Sequence, residues 1–462
     1  MTLWTAEEAR AATGGRQTGP DWRADGVSID SRSVAPGDLF VALAGPNHDG
    51  HDFVAGALAA GAAAALVHRI PDGLAADAPL LVVEDTLKGL EALGVAARAR
   101  SAARIVAVTG SVGKTGTKEM LALTLAAQGK THASIGSFNN HWGVPLSLSR
   151  LPADCRFAIF ELGMNHPGEI TPLTRMVRPH VAVVTSVEAV HMEFFTGTEQ
   201  IADAKAEIFL GLEPDGIAVL PRDNPHFRRL AVAARSAGAA TIAGFGTHID
   251  ADARLLDCGL DPASTAVFAL IHDEPIAYRL GVPGLHWATN SLAALLAVGA
   301  LGADVETAAH TLKAMAPPKG RGERKRITIE GGSVELVDES YNASPVSMRA
   351  ALATLAAAKP AKGGRRIAVL GDMLELGESS VSLHAGLAET VERWGIDLVF
   401  TAGRLMKNLS DRLAPARVGG HGADADAVAP LVKAALKAGD VVMVKGSAGS
   451  RMGRVVKFLG EG

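Results

Sequence analysis

Aromatic residues make up only 4% of this 462-residue chain, and just two of them are tyrosines. Cysteine is scarcer still. Cys155 and Cys258 are the full complement and stand far apart, so a disulfide framework is excluded and a reducing compartment is expected. Positive charge is not in excess. Forty-five Lys and Arg against 49 Asp and Glu leave a formal net charge of −4, which argues against nucleic acid as a partner. Long apolar runs are missing too. The Ala-rich stretches near 55–67 and 291–301 are short and broken by glycine, so no membrane insertion is expected. The opening M-T-L-W-T-A-E-E-A-R lacks the basic region and apolar core of a secretory signal. A cytoplasmic protein is the expectation.

What is abundant is Ala, Leu and Val, within an apolar content of 48%. That composition suits packed α/β layers, and the length suits about three domains. Residues 26–43 read as strand, turn and strand around Pro36-Gly37-Asp38; a helix over 53–60 and a strand over 62–67 follow. From 104 onward strands and helices alternate: 104–109, 114–128, 157–161, 169–177, 181–185, 199–210 and 217–220. This pattern predicts a mostly parallel sheet with helices on both faces. Helices are expected over 285–301 and 304–315, then a linker marked by Pro317, Pro318, Gly320 and Gly322. The basic cluster Lys319, Arg321, Arg324, Lys325, Arg326 reads as a solvated linker or an anion contact. Strands at 334–338, 366–370, 397–401 and 441–445, with helices near 345–358, 380–393 and 426–437, predict a second doubly wound, Rossmann-like unit. The breaks divide the chain into 1–85, 86–316 and 317–462.

The densest chemistry lies in R-I-V-A-V-T-G-S-V-G-K-T-G-T-K-E, residues 104–119. An apolar strand runs into a glycine loop, then Lys114, Thr115 and a helix. The long phosphate-loop pattern would need its first glycine at Val108. The shorter form, Gly110-x-x-Gly113-Lys114-Thr115, is present. Such a loop offers backbone N–H groups, a helix N-terminus and one ammonium to a chain of phosphates. ATP is therefore expected along Gly110, Ser111, Val112, Gly113, Lys114, Thr115, Gly116 and Thr117. Lys114 would meet the β and γ phosphates, and the Thr115 hydroxyl would hold Mg²⁺.

Three later residues stand where an open parallel sheet places its ligands, beyond strand carboxyl ends. Glu161 closes one strand and is either a Mg²⁺ ligand or an ordinary polar terminus. His191 follows the next strand and is either structural or a second metal or phosphate ligand. Lys205, in I-A-D-A-K-A-E-I-F, reads blandly as a surface lysine near Asp203 or Glu207.

Taken together, T-G-S-V-G-K-T, F-N-N-H-W-G-V-P-L, F-E-L-G-M-N-H-P-G-E-I, A-V-H-M-E-F-F and D-A-K-A-E-I-F come in the order and spacing of the Mur ligases. S-I-D-S-R-S-V-A-P-G-D-L-F-V-A-L and D-G-H-D-F resemble that family's uridine-nucleotide module. D-E-S-Y-N-A-S-P-V-S-M-R-A-A-L, L-G-D-M-L-E-L-G and V-K-G-S-A-G-S-R-M resemble the C-terminal motifs of its D-alanyl-D-alanine-adding members. The resemblance covers nearly the whole chain. It implies an α/β protein of three domains: a small N-terminal uridine module, a central P-loop ATPase and a C-terminal Rossmann-like domain. The implied substrates are ATP, UDP-muramoyl tripeptide and D-Ala-D-Ala, handled by a monomer.

Residue by residue, the resemblance implies two Mg²⁺ ions. Thr115 and Glu161 match ligands of the first, His191 a ligand of the second, and Lys205 a lysine that is carbamylated so as to hold Mg²⁺. Asn290 matches an adenine-side asparagine, and Arg321 an arginine that reaches the phosphates. Ser31 and Arg32 match the uridine side, Asn139 and Asn140 a substrate-side loop, and Tyr341 and Asn342 the C-terminal contribution. The sequence departs from the family pattern at Gly116, Ser186, Val190, Trp287 and Ser344. Ser344, ahead of Pro345, still suits a helix N-cap. Other readings are a tripeptide-forming Mur ligase, a folylpolyglutamate synthase-like enzyme sharing the central ATPase, or a P-loop switch that hydrolyses nucleotide without a carboxylate acceptor.

Overall fold

The strand Arg104–Thr109 is apolar at successive positions, which is stable only where both faces are covered. In the computed structural model, which describes residues 2–45, 48–190 and 192–461, it lies inside a nine-stranded sheet. The order across that sheet is 274–280, 265–271, 253–260, 241–246, 217–221, 181–184, 104–109, 157–161 and 131–133. Neighbours run parallel from Thr131–Ala133 to Ala253–Leu260, and the last two strands are antiparallel. The expected mostly parallel sheet is there. The four strands over 241–280 were not read from sequence. Leu256, Leu260 and Phe268 point to solvent there and blur the two-residue alternation.

On one face of this sheet the helix Lys114–Ala126 packs with the Ala/Leu-rich helix Leu285–Ala300, through Met120, Leu121 and Leu125 against Leu292, Leu295 and Leu296. On the other face lies the helix Thr86–Arg100. Asp85 caps it, its Oδ1 accepting from Leu87 N at 2.7 Å and Lys88 N at 2.9 Å. A Cβ at Gly94 would come within 3.2 Å of Leu148 Cβ, so a bare Cα lets this helix close onto the helix Gly143–Ser149.

The N-terminal sheet has five strands in the order 16–18, 80–82, 64–67, 38–41, 26–28. Leu39 and Leu66 from it share one apolar core with Leu90, Leu93, Leu146, Leu148 and Phe160. Two further bonds fasten the same seam. Trp4 Nε1 donates to Ser149 O at 2.8 Å, under the Arg100 guanidinium, which lies 3.9 Å from the indole centroid. Arg150 Nε donates to Val27 O at 2.6 Å.

The C-terminal sheet has six strands in the order 323–329, 332–339, 441–445, 366–371, 398–402, 418–422, parallel except for the first. The basic cluster is only partly linker. From Glu323 onward it is a strand, in which Arg324 pairs with Glu335 and Lys325 with Glu323. The helix expected near 380–393 divides at Gly386 into Ser380–Ala385 and Leu387–Arg393. Ser344 is the N-cap of the helix Pro345–Ala357, accepting from Ser347 N at 3.3 Å, as its place before a proline suggested.

Candidate active site

The glycine loop leaves the carboxyl end of the central strand between two neighbours, and both furnish its surroundings. Glu161 pairs in register with Val108, and Val184 with Thr109. The loop needs its glycines. Gly110 has φ +148° and Gly113 φ +89°, and a Cβ on Gly110 would lie 1.9 Å from Thr185 Oγ1. The next strand end braces the loop. Ser111 N donates to Ser186 O at 2.9 Å, Val112 N to Ser186 Oγ at 3.1 Å, and Thr185 Oγ1 to Val112 O at 2.5 Å. Ser186 is thus a loop support. Lys114 Nζ donates to Gly110 O at 2.7 Å, folding its ammonium back over the loop.

A cavity of about 420 Å³ opens in front of the loop. Ser111 to Gly116 form one wall, with His286, Trp287 and Asn290 beside them. Gly110 and Thr117 are off that wall: Gly110 is the bend that starts the loop, and Thr117 is buried in the helix. The opposite wall comes from the C-terminal third, through Arg321, Glu339, Asn342 and Lys445. Glu339 and Lys445 end neighbouring strands in register, and Lys445 Nζ donates to Glu339 Oε2 and to Asn342 O, both at 3.1 Å. The C-terminal third also meets the middle of the chain at Glu375 of the cavity lining, whose carbonyl accepts from Glu193 N at 3.4 Å.

The electrostatics of the site are unbalanced. Burial pushes the Lys114 amine below its ordinary pKa; Glu161 opposes that, and the Arg321 charge adds to it. Arg321 lies 4.2 Å over the Tyr341 ring, which aims its guanidinium while Tyr341 itself stays outside the cavity lining. Burial pushes Lys205 well below its usual range, and the Lys114 charge pushes it further. Lys205 is 2% exposed, so it is no surface lysine. Its expected acidic neighbours are engaged elsewhere: Asp203 accepts from Arg229 at 2.8 Å, and Glu207 accepts from Gly168 N at 2.6 Å. His286 lines the cavity with part of its surface open to solvent; the protein packed around it lowers its pKa, with Glu339 pulling it back up and Lys445 pushing it down.

A divalent cation fits the donors that remain. Among the described residues, Thr115 Oγ1 and Glu161 Oε2 are buried with no hydrogen-bond partner. Such orphaned oxygens are costly unless something binds them, and hard oxygen donors suit Mg²⁺. Asn139, expected in a substrate-side loop, also reaches the metal side of the site. Its Nδ2 donates to Glu161 Oε1 at 2.7 Å, fixing one carboxylate oxygen and leaving the other bare. Asn140 caps the next helix, its Oδ1 accepting from Gly143 N at 3.0 Å. Ser31 and Arg32 are not in the cavity lining; Arg32 pairs with Asp30 at the surface. His191 lies outside the described residues, though Val190 before it lines the cavity. The sequence reading missed Glu339 and Lys445 as wall residues, because strand order brings them together. It also missed Lys118, whose signal was visible: a lysine on an otherwise apolar helix face.

Comparison with known proteins accounts for the whole architecture. The chain matches the Mur ligase family catalytic domain over residues 23–100, the Mur ligase middle domain over 108–298 and the Mur ligase glutamate ligase domain over 320–448. UDP-N-acetylmuramoyl-tripeptide–D-alanyl-D-alanine ligase of Escherichia coli (strain K12) is 36% identical over 459 residues, spanning 97% of this chain and 96% of that protein. Among solved structures, MurF from Acinetobacter baumannii is similar with a TM-score of 0.84 at 30% identity, covering 99% of both chains. The MurF ligase of Thermotoga maritima, in complex with ADP, gives 0.78 at 28% identity, covering 94% of this chain and 97% of that one.

Proposed function

The chain belongs to the Mur ligase family, and on that premise we propose that it joins D-alanyl-D-alanine to UDP-N-acetylmuramoyl-tripeptide at the expense of ATP, in peptidoglycan precursor synthesis. The observation that carries this reading is the division of one cavity between two sheet ends. A phosphate loop with Lys114 forms one wall, and Arg321, Asn342 and Lys445 the other. Full-length similarity to ligases of that name, and to one with ADP bound, supports the substrates.

A carboxylate resists attack by an amine, because its charge must be lost and oxide does not leave. Transfer of the ATP γ-phosphoryl group to the tripeptide's terminal carboxylate removes both obstacles. ADP leaves, and the acyl phosphate then takes the free amine of D-Ala-D-Ala, collapsing to amide and inorganic phosphate. The loop N–H groups and Lys114 face the charge that builds on the transferred group, with Arg321 completing the cationic side. Thr115 and Glu161 would hold Mg²⁺, which would add charge neutralisation at the phosphates. Enclosure between the two walls keeps water from the acyl phosphate.

Finer assignments complete the proposal. Lys205 is carbamylated: its depressed pKa favours the neutral amine that adds CO₂, and the resulting anion relieves the clash with Lys114. With His191 it would serve a second Mg²⁺. Asn290 attends the adenine, while Ser31 and Arg32 serve the uridine end. The working modules are 1–85, 86–316 and 317–462. A site assembled within one chain needs no second copy, so the enzyme acts as a cytoplasmic monomer.

Phosphate release from ATP–Mg²⁺ is the test. It should require UDP-muramoyl tripeptide and D-Ala-D-Ala together, and oxygen-18 placed in the tripeptide's terminal carboxylate should appear in the phosphate. Release driven instead by dihydrofolate plus glutamate, or with no acceptor at all, would sink the reading.

A further inference from the structure

Lys118 is more deeply buried than Lys114, with a side chain only 1% exposed. It shares the packed face of the helix with Leu121 and Leu125, where an apolar residue would ordinarily stand. A buried ammonium is tolerated only if its hydrogens are used. Lys118 Nζ donates to Ser134 O at 2.8 Å, to Gly136 O at 3.2 Å and to the Glu119 carboxylate. Two of its three bonds therefore go to the backbone of one loop.

That loop holds Glu161 at two points. Ser134 Oγ accepts from Glu161 N at 3.1 Å, and Asn139 Nδ2 donates to Glu161 Oε1 at 2.7 Å. The return strand locks it, with Gly163 N donating to Asn139 O at 2.8 Å. Fold stability does not call for a lysine here, since an apolar side chain of like volume avoids the desolvation of a buried charge. We propose that Lys118 is a positioning residue: its ammonium pins Ser134–Gly136 to the phosphate-loop helix, so that Asn139 keeps one oxygen of Glu161 and leaves the other bare for the nucleotide's divalent cation. This rests on the nucleotide–magnesium reading above.

The test uses the full chain with K118M and K118R. Hydrogen exchange is followed without nucleotide, and ADP binding is measured by calorimetry with and without Mg²⁺. K118M should keep the cooperative melt and metal-free ADP affinity of the parent. Exchange over 134–140 should quicken, and the Mg²⁺-dependent gain in ADP affinity should fall about tenfold, the usual scale for a lost support behind a metal ligand. K118R, whose guanidinium can reach both carbonyls, should recover most of that gain. Unchanged loop exchange and an intact Mg²⁺-dependent gain in K118M overturn the proposal, as does a K118R that folds yet loses the gain entirely. Should K118M not fold, K118R decides by the same two readouts. A parent protein with no Mg²⁺-dependent ADP binding would sink the nucleotide reading instead, while loop exchange still reports on the tether.

Discussion

Gly116 and Trp287 occupy one space: a Cβ on Gly116 would stand 2.7 Å from Trp287 Cζ3. Both are positions where the sequence reading noted a departure from the family pattern. The indole, 93% buried from solvent by its 7% exposure, fills what a side chain in the first turn of the loop helix would have taken.

G116A should therefore destabilise the protein. Alanine is favoured over glycine in a helix by about 0.5–1 kcal/mol, but overpacking a filled site costs about 1–3 kcal/mol. A net loss of about 1 kcal/mol is expected in urea denaturation, with a changed tryptophan emission. In the double variant with W287A the penalty of the added methyl should vanish, giving a coupling of at least about 0.5 kcal/mol. Additive effects would show that the two residues do not share the space.

K114A and E161Q should each lower product formation by more than about a hundredfold, the scale for removing a group that stabilises transition-state charge. Neither should unfold the chain. K114A in particular removes an amine whose charge is disfavoured by burial and by Arg321, so its melting temperature should match or exceed the parent's. Substantial turnover in either variant would remove that residue from the chemistry.

Carbamylation of Lys205 should make activity depend on dissolved CO₂. Enzyme held in CO₂-depleted buffer should lose turnover and regain it with bicarbonate, and carbon-13 bicarbonate should give a carbamate resonance absent from K205A. Full activity with no such resonance would leave Lys205 as a neutral buried amine.

Acid should weaken the fold through His180. Burial, with the Arg104 and Arg98 charges, lowers its pKa from 6.5 to about 4. Its Nδ1 accepts from Ile105 N at 2.9 Å, at the foot of the loop strand. Below pH 6.5 the unfolded chain takes up a proton that the folded one refuses. Stability present above pH 6.5 is thus lost as the pH falls toward 4, by about 3 kcal/mol at one unit per 1.36 kcal/mol. H180N, whose Oδ1 can accept the same bond, should flatten that part of the stability–pH curve.

The phosphate loop was legible because strand, glycines, lysine and helix are adjacent in sequence, and their local geometry follows from residue type. Glu161 was legible as a strand terminus. The second wall was not. Glu339 and Lys445 lie over a hundred positions apart and meet only because two strands pair in register. Asn139 was placed in a substrate-side loop by its motif, which names a residue but does not say that its Nδ2 holds Glu161. Lys205 looked like a surface residue because its acidic neighbours in sequence suggested partners, yet each of those turns to a different group.

The indole of Trp4 on Ser149 and the guanidinium of Arg150 on Val27 make the first two sheets a single rigid platform. The crossing to the third sheet instead runs through Gly320 and Gly322, both at positive φ. A hinge at that crossing would swing the third sheet against a base that already joins the other two.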